Sequence, residues 1–188
     1  MQGGIDTVHW TVYGKIDTIL KSNGTVIAYR YDAGGNRISK AVTTGGTTKT
    51  TWYARDASGN VMAVYSDSAG SMYLKEQHLY GSSRLGLVER SEKVGVGESV
   101  PQPDANGYTE LSGIRGEKRY ELSNHLGNNL VVISDKKTGV DTNSDGIADY
   151  YTSDVVSATD YYPFGMSMPG RSYQSGLYRY GFNGKENG

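Results

Sequence analysis

Tyr29-Arg30-Tyr31-Asp32-Ala33-Gly34-Gly35-Asn36-Arg37-Ile38-Ser39-Lys40 decides how the chain reads. Tyr29 and Tyr31 stand at alternate positions, so an extended segment puts them on one face. Asp32, Gly34, Gly35 and Asn36 follow as a dense turn signal. An aspartate accepts hydrogen bonds from the N–H groups of such a turn, and glycine takes the positive φ that a side chain resists. Arg37, Ile38 and Ser39 then alternate polar and apolar. The unit predicts strand, tight turn, strand.

Twenty-four residues further on the unit returns as YARDASGN, Tyr53 to Asn60. Tyr53, Asp56, Ala57, Gly59 and Asn60 fall on Tyr29, Asp32, Ala33, Gly35 and Asn36. A worn third copy, SNHLGNN (Ser123 to Asn129), carries Asn124 in the aspartate slot and closes on Gly127-Asn128. A period in the twenties points to a repeat architecture. Two unrelated hairpins with a common turn are the simpler alternative, and five identities in eight positions weigh against them.

The pattern Tyr-x-Tyr-Asp-x-x-Gly-Asn-Arg resembles the YD repeats of bacterial Rhs and related polymorphic-toxin proteins, also found in insecticidal toxin complexes and animal teneurins. Tyr120 to Lys137 and Asp160 to Asn187 resemble the Rhs repeat-associated core region. The resemblance implies an all-β fold of consecutive antiparallel hairpins, part of a spiral YD-repeat sheet and so a fragment of a β-cocoon. It implies a structural role, encapsulating a C-terminal toxin or effector. The implied partners are the remainder of the same shell and the toxin domain, and the implied location is secreted or cell-surface within a larger protein. Full core regions of this kind also end in an aspartyl self-cleavage element near Asp-Pro-x-Gly. This sequence has no Asp-Pro dipeptide and closes on GFNGKENG, so no catalysis is expected of it, and Asp160 reads as a turn-capping carboxylate.

Composition agrees with thin β structure. The chain of 188 residues holds 26 Gly and 16 Tyr but 2 Phe and 4 Pro, which suits short strands between turns with amphipathic rings at half-wet positions. A formal net charge of −1 argues against nucleic acid as a partner. The longest aliphatic run, Leu130 to Ile133, is far too short to span a membrane. With no cysteine there are neither disulfides nor thiolate metal sites. The first ten residues lack the basic start and apolar stretch of a signal peptide.

Residues 1–90 are expected to form YD-repeat-like hairpins, 91–118 an insertion loop, and 119–188 the core-associated region. Val8 to Leu20 reads as one strand and Asn23-Gly24 as a hairpin turn. Gly45-Gly46 and Gly81-Ser82-Ser83 mark two further hairpins. A short piece of such a sheet leaves its edges open, which predicts self-association through them.

The clearest ligand pattern is DTNSDGIADYYT, residues 141–152. Asp141, Asn143, Asp145 and Asp149 occupy the first, third, fifth and ninth places of a calcium loop, and the Ile147 carbonyl stands at the seventh. Gly146 supplies the sharp bend, but the twelfth place holds Thr152 rather than a bidentate glutamate. Two readings stay open: a modest-affinity Ca²⁺ site, or an acidic hairpin tip held by Asx turns. His9, His78 and His125 form no zinc pattern. Trp10, Trp52 and the tyrosines either stack between strands or present rings to a ligand. The competing functional reading is therefore a calcium-stabilised cell-surface β module that binds glycan or protein.

Overall fold

The computed structural model describes residues 4–68, 70–95, 114–175 and 178–186. They form twelve strands: β1 (Ile5–Trp10), β2 (Ile16–Lys21), β3 (Val26–Tyr31), β4 (Arg37–Thr44), β5 (Thr47–Arg55), β6 (Val61–Ser68), β7 (Ser71–Tyr80), β8 (Arg84–Val94), β9 (Lys118–Ser123), β10 (Asn129–Val140), β11 (Tyr150–Tyr161) and β12 (Ser167–Gln174). A single 3₁₀ turn, Phe182–Gly184, follows. The strands lie in one antiparallel sheet in chain order, so each pairs with its neighbours in sequence. The fold is all-β, as the alternating patterns predict. By packing, the described residues divide into two units, 4–78 with 90–95 and 79–89 with 114–186, so the division falls inside β7 and β8.

One local device makes most of the corners. In six five-residue turns the first N–H donates to the fifth carbonyl at 2.7–3.0 Å, and the fourth residue's N–H donates to the first carbonyl at 2.9–3.0 Å. They begin at Thr11, Lys21, Asp32, Asp56, Asn124 and Tyr162. The fourth residue is always glycine (Gly14, Gly24, Gly35, Gly59, Gly127, Gly165), at φ +70 to +89. This is a three-residue hairpin loop whose left-handed glycine closes it as a bulge. The flanking pairs, such as Trp10↔Ile16, Tyr31↔Arg37, Arg55↔Val61 and Tyr161↔Ser167, keep one spacing. Gly181 to Lys185 makes the same two hydrogen bonds, with Asn183 also left-handed at φ +53.

Two expectations change. Val8 to Leu20 is two strands and not one, because Gly14 turns the chain between Trp10 and Ile16. The span 141–152 is not a twelve-residue loop, because β11 begins at Tyr150 and Thr152 pairs with Thr138 in the ladder. The Gly45-Gly46 and Gly81-Ser83 hairpins stand where their turn signals put them. β8 continues to Val94 and β9 starts at Lys118, and most of the expected insertion, residues 96–113, lies outside the described residues.

Burial is thin. Among the described residues eight apolar side chains are buried and eight polar or charged ones with them, so ladder hydrogen bonds carry a large share of the stability. In the first unit Tyr53 and Val64 are cross-strand partners, with Ser39, Ser66, Glu76 and His78 also buried. In the second, Leu87, Val132, Val156, Tyr178 and Tyr180 form one apolar cluster.

Candidate functional site

Each repeat turn is organised around the side chain of its first residue. Asp32 Oδ1 accepts the Asn36 N–H at 2.8 Å, and Oδ2 accepts from Asn36 Nδ2 at 3.1 Å. Asp56 does the same with Asn60, at 2.8 and 2.9 Å, and also takes the Ser58 N–H. These bonds to Asn36 and Asn60 hold both carboxyls below the usual carboxylate range. Asn124 fills the slot without charge, its Oδ1 accepting from the N–H groups of Leu126 and Asn128.

Neighbouring turns in the first unit also touch each other. A Cβ placed on Gly35 would stand 3.5 Å from Lys15 Cε, and one on Gly59 would stand 3.1 Å from Asn36 Oδ1. Arg55 bridges the same pair of turns, with Nε donating to Arg37 O at 3.0 Å and Nη1 to Gly59 O at 2.6 Å. The tyrosines of the repeat support this row. Tyr31 donates its hydroxyl to Ile16 O at 2.8 Å, and the Arg37 guanidinium lies 4.4 Å from the centre of the Tyr29 ring. Burial pulls the Arg37 guanidinium down, but the phenol oxygens of Tyr53 and Tyr29 more than offset it. Of the repeat residues, Asn36 of the first turn meets Gly59 of the second, Asp32 and Asp56 each bond within their own turn, and Tyr31 reaches back to β2.

The acidic hairpin tip is built from its own backbone. Asp141 accepts the N–H groups of Asn143, Ser144, Asp145 and Gly146, and those bonds, Gly146's first, lower its pKa. Asp149 accepts the Thr142 N–H and hydroxyl, which lower its pKa as well. Asn143 Nδ2 donates to Asp145 Oδ2 at 3.1 Å, and the Ile147 N–H donates to Asp145 Oδ1 at 2.8 Å. Ser144 and Gly146 are left-handed, at φ +61 and +85. An all-oxygen donor set has the chemistry a hard cation needs. As arranged, though, the carboxylates serve separate partners, and among the described residues no three acidic or histidine side chains gather as a metal cluster.

A second network escaped the sequence reading. Glu121, its side chain 2% exposed, receives Arg84 Nε at Oε2 (3.0 Å), with Nη2 in ion contact at 2.9 Å. The Tyr178 hydroxyl donates to Glu121, and Asn129 Nδ2 donates to Tyr178 OH at 3.3 Å. Arg84 also stacks 4.3 Å over Tyr180. Burial first, and then the Glu121 charge, push the Tyr178 hydroxyl up. Residues 84, 121 and 178 belong to no common motif, so nothing local in the sequence announces them. The opposite face of this unit is apolar but open. Leu122, Val131, Ala158 and Tyr173 form one cross-strand row, and Tyr120, Ile133 and Val155 the next. Leu122 and Tyr173 are both 53% exposed.

No family model matches the chain, and no curated protein matches it. Solved structures do match in fold, two of them as follows. A complex described as TcdB2-TccC3-Cdc42 superposes on 97% of this chain with a TM-score of 0.58 and 14% identity. One described as TcdB2-TccC3 superposes on 98% with a TM-score of 0.57 and 13% identity. This chain shares their fold. It spans 8% of the length of each matched chain. No helix among the described residues is long and apolar enough to cross a membrane.

Proposed function

We propose that the chain is a section of the wall of a YD-repeat shell that houses a C-terminal toxin or effector, and that its role is structural and not catalytic. The observation that carries the reading is the five-residue glycine turn, repeated between successive antiparallel strands and in lateral contact from one copy to the next. A wall built this way lengthens by whole hairpins, each new one satisfying the edge hydrogen bonds of the last. The fold match over nearly the whole chain supports it. The open apolar rows around Leu122 and Tyr120 suit contact with an incompletely folded polypeptide, which exposes apolar surface. Asp160, expected as a turn-capping carboxylate, instead pairs with Arg171 of β12 at 2.8 Å, while the turn that follows begins at Tyr162.

The partners in this reading are the rest of the shell and the enclosed domain, and the location is secreted or cell-surface within a larger protein. Calcium at Asp141, Asn143, Asp145, Ile147 and Asp149 is a separate proposal, supported by the oxygen donor set. The decisive experiment sequences the reading frame past Gly188 and digests the intact product with protease. An unrelated downstream domain, protected until the shell is opened, is the expected result. A frame that stops at Gly188 and yields a stable monomer overturns the proposal.

A further inference from the structure

The pairing of β11 with β12 is interrupted. Ala158↔Tyr173 and Thr159↔Ser172 are in register, and the next pair is Tyr161↔Ser167. Met168 to Arg171 therefore stand opposite Asp160 alone, and β12 bulges there. The sequence dictates the bulge: Pro169 has no N–H to give the ladder, and Gly170 sits at φ +71. Bulges of this kind re-aim side chains next to binding sites.

Beside the bulge lies a cavity of about 270 Å³. Thr159 and Tyr161 are two apart on β11 and share a face with their partners Ser172 and Ser167. Four hydroxyl-bearing side chains thus look the same way. Gln174, fixed by an Nε2 hydrogen bond to Tyr178 O at 2.8 Å, adds an amide. Phe182 closes the side, edge-on to Tyr161 with ring centres 5.7 Å apart. None of the lining side chains is charged at neutral pH. Next to the lining residue Gly165, Phe164 is 97% exposed. A bare ring in that position gains nothing from packing within the chain.

We propose that this cavity binds a neutral sugar. A pyranose presents many uncharged donors and acceptors around its rim and an apolar C–H face. That combination calls for hydroxyl and amide side chains together with an aromatic wall. An anionic ligand would need cations in the lining, and an apolar peptide would need aliphatic walls. The volume falls just below the range of about 300–1,000 Å³ typical of drug-sized ligands, so one ring enters, and Phe164, adjoining the lining residue Gly165 in sequence, is assigned as the contact for the next residue of the glycan.

The test screens the full chain on an array of neutral and acidic glycans. It follows with saturation-transfer NMR using D-glucose, D-galactose, D-mannose and N-acetyl-D-glucosamine. Binding of one neutral series with a Kd on the order of 1 mM is expected. Ser172→Phe, which fills the cavity, should weaken it at least about tenfold. Phe164→Ala cannot disturb packing, and it should weaken a disaccharide severalfold while leaving the monosaccharide unchanged. No neutral sugar bound, acidic glycans alone bound, or binding equal to wild type in Phe164→Ala with the disaccharide overturns the proposal. The last arm decides the matter even if Ser172→Phe does not fold.

Discussion

Asn36, which closes one repeat turn, lies directly against Gly59, the left-handed residue of the next. A Cβ on Gly59 would stand 3.1 Å from Asn36 Oδ1, and Gly59 itself sits at φ +88. The same glycine thus meets two demands, one from its own turn and one from its neighbour. Gly24 meets only the first, since at φ +79 it faces open space. Gly24→Ala is expected to cost about 1–2 kcal/mol, the strain of a left-handed alanine. Gly59→Ala should cost about 1 kcal/mol more, because Asn36 must move as well. Urea titration of both variants measures the difference, and equal costs would mean that the turns do not brace each other.

Gly86 is a sharper case of close approach. A Cβ there would fall 1.9 Å from the Arg119 carbonyl oxygen on the paired strand β9. Backbone cannot swing aside as a side chain does, so Gly86→Ala should cost at least about 3 kcal/mol. Loss of the cooperative transition in thermal melting is the expected readout.

Acid should loosen the turns in a defined window. Asp32, Asp56, Asp141 and Asp149 are all held below the ordinary value of 3.8 by hydrogen bonds made to their charged forms. The unfolded chain then binds more protons than the folded one, so stability rises with pH across that interval. The contribution is complete above the ordinary value and is lost as pH falls through the lowered ones. Melting temperature followed from about pH 6 to about pH 2 should fall steeply at the acid end. Asp56→Asn should make the fall shallower, since Asn124 shows that an uncharged amide fills the slot.

The Arg84–Glu121–Tyr178 network predicts unequal costs. Tyr178→Phe removes the hydrogen bond to the Glu121 carboxylate and the weaker one from Asn129, and should cost about 1.5–3 kcal/mol. Glu121→Ala leaves Arg84, with 14% side-chain exposure, without its ion partner. That change should cost about 3–5 kcal/mol. Replacing Arg84 and Glu121 together by Met and Leu should recover most of the loss, because the pair's desolvation then disappears as well. Chemical denaturation of the three variants measures this order.

Calcium at the acidic tip is tested by melting in chelator and in excess calcium. At ten times Kd a bound ion adds about 1.4 kcal/mol, and Asp145→Ala should abolish the gain. An unchanged melting temperature would leave the tip closed by its own hydrogen bonds alone.

By itself the sequence determined the class of fold and the placing of most corners. Alternation of side chains and the Asp-x-x-Gly-Asn turns are local properties, decided within five residues of backbone. The same turn at Lys21 was legible from Asn23-Gly24, but at Thr11 and Tyr162 only the glycine marked it, because no acidic side chain caps it there. That is why Val8 to Leu20 read as a single strand. The tertiary structure decided what depends on neighbours remote in sequence: Asn36 against Gly59, Arg84 and Tyr178 on Glu121, and the open row from Leu122 to Tyr173. It also decided that Thr152 pairs with Thr138 in the ladder. Local rules fix how a chain bends, whereas register across the sheet fixes which bends and side chains meet.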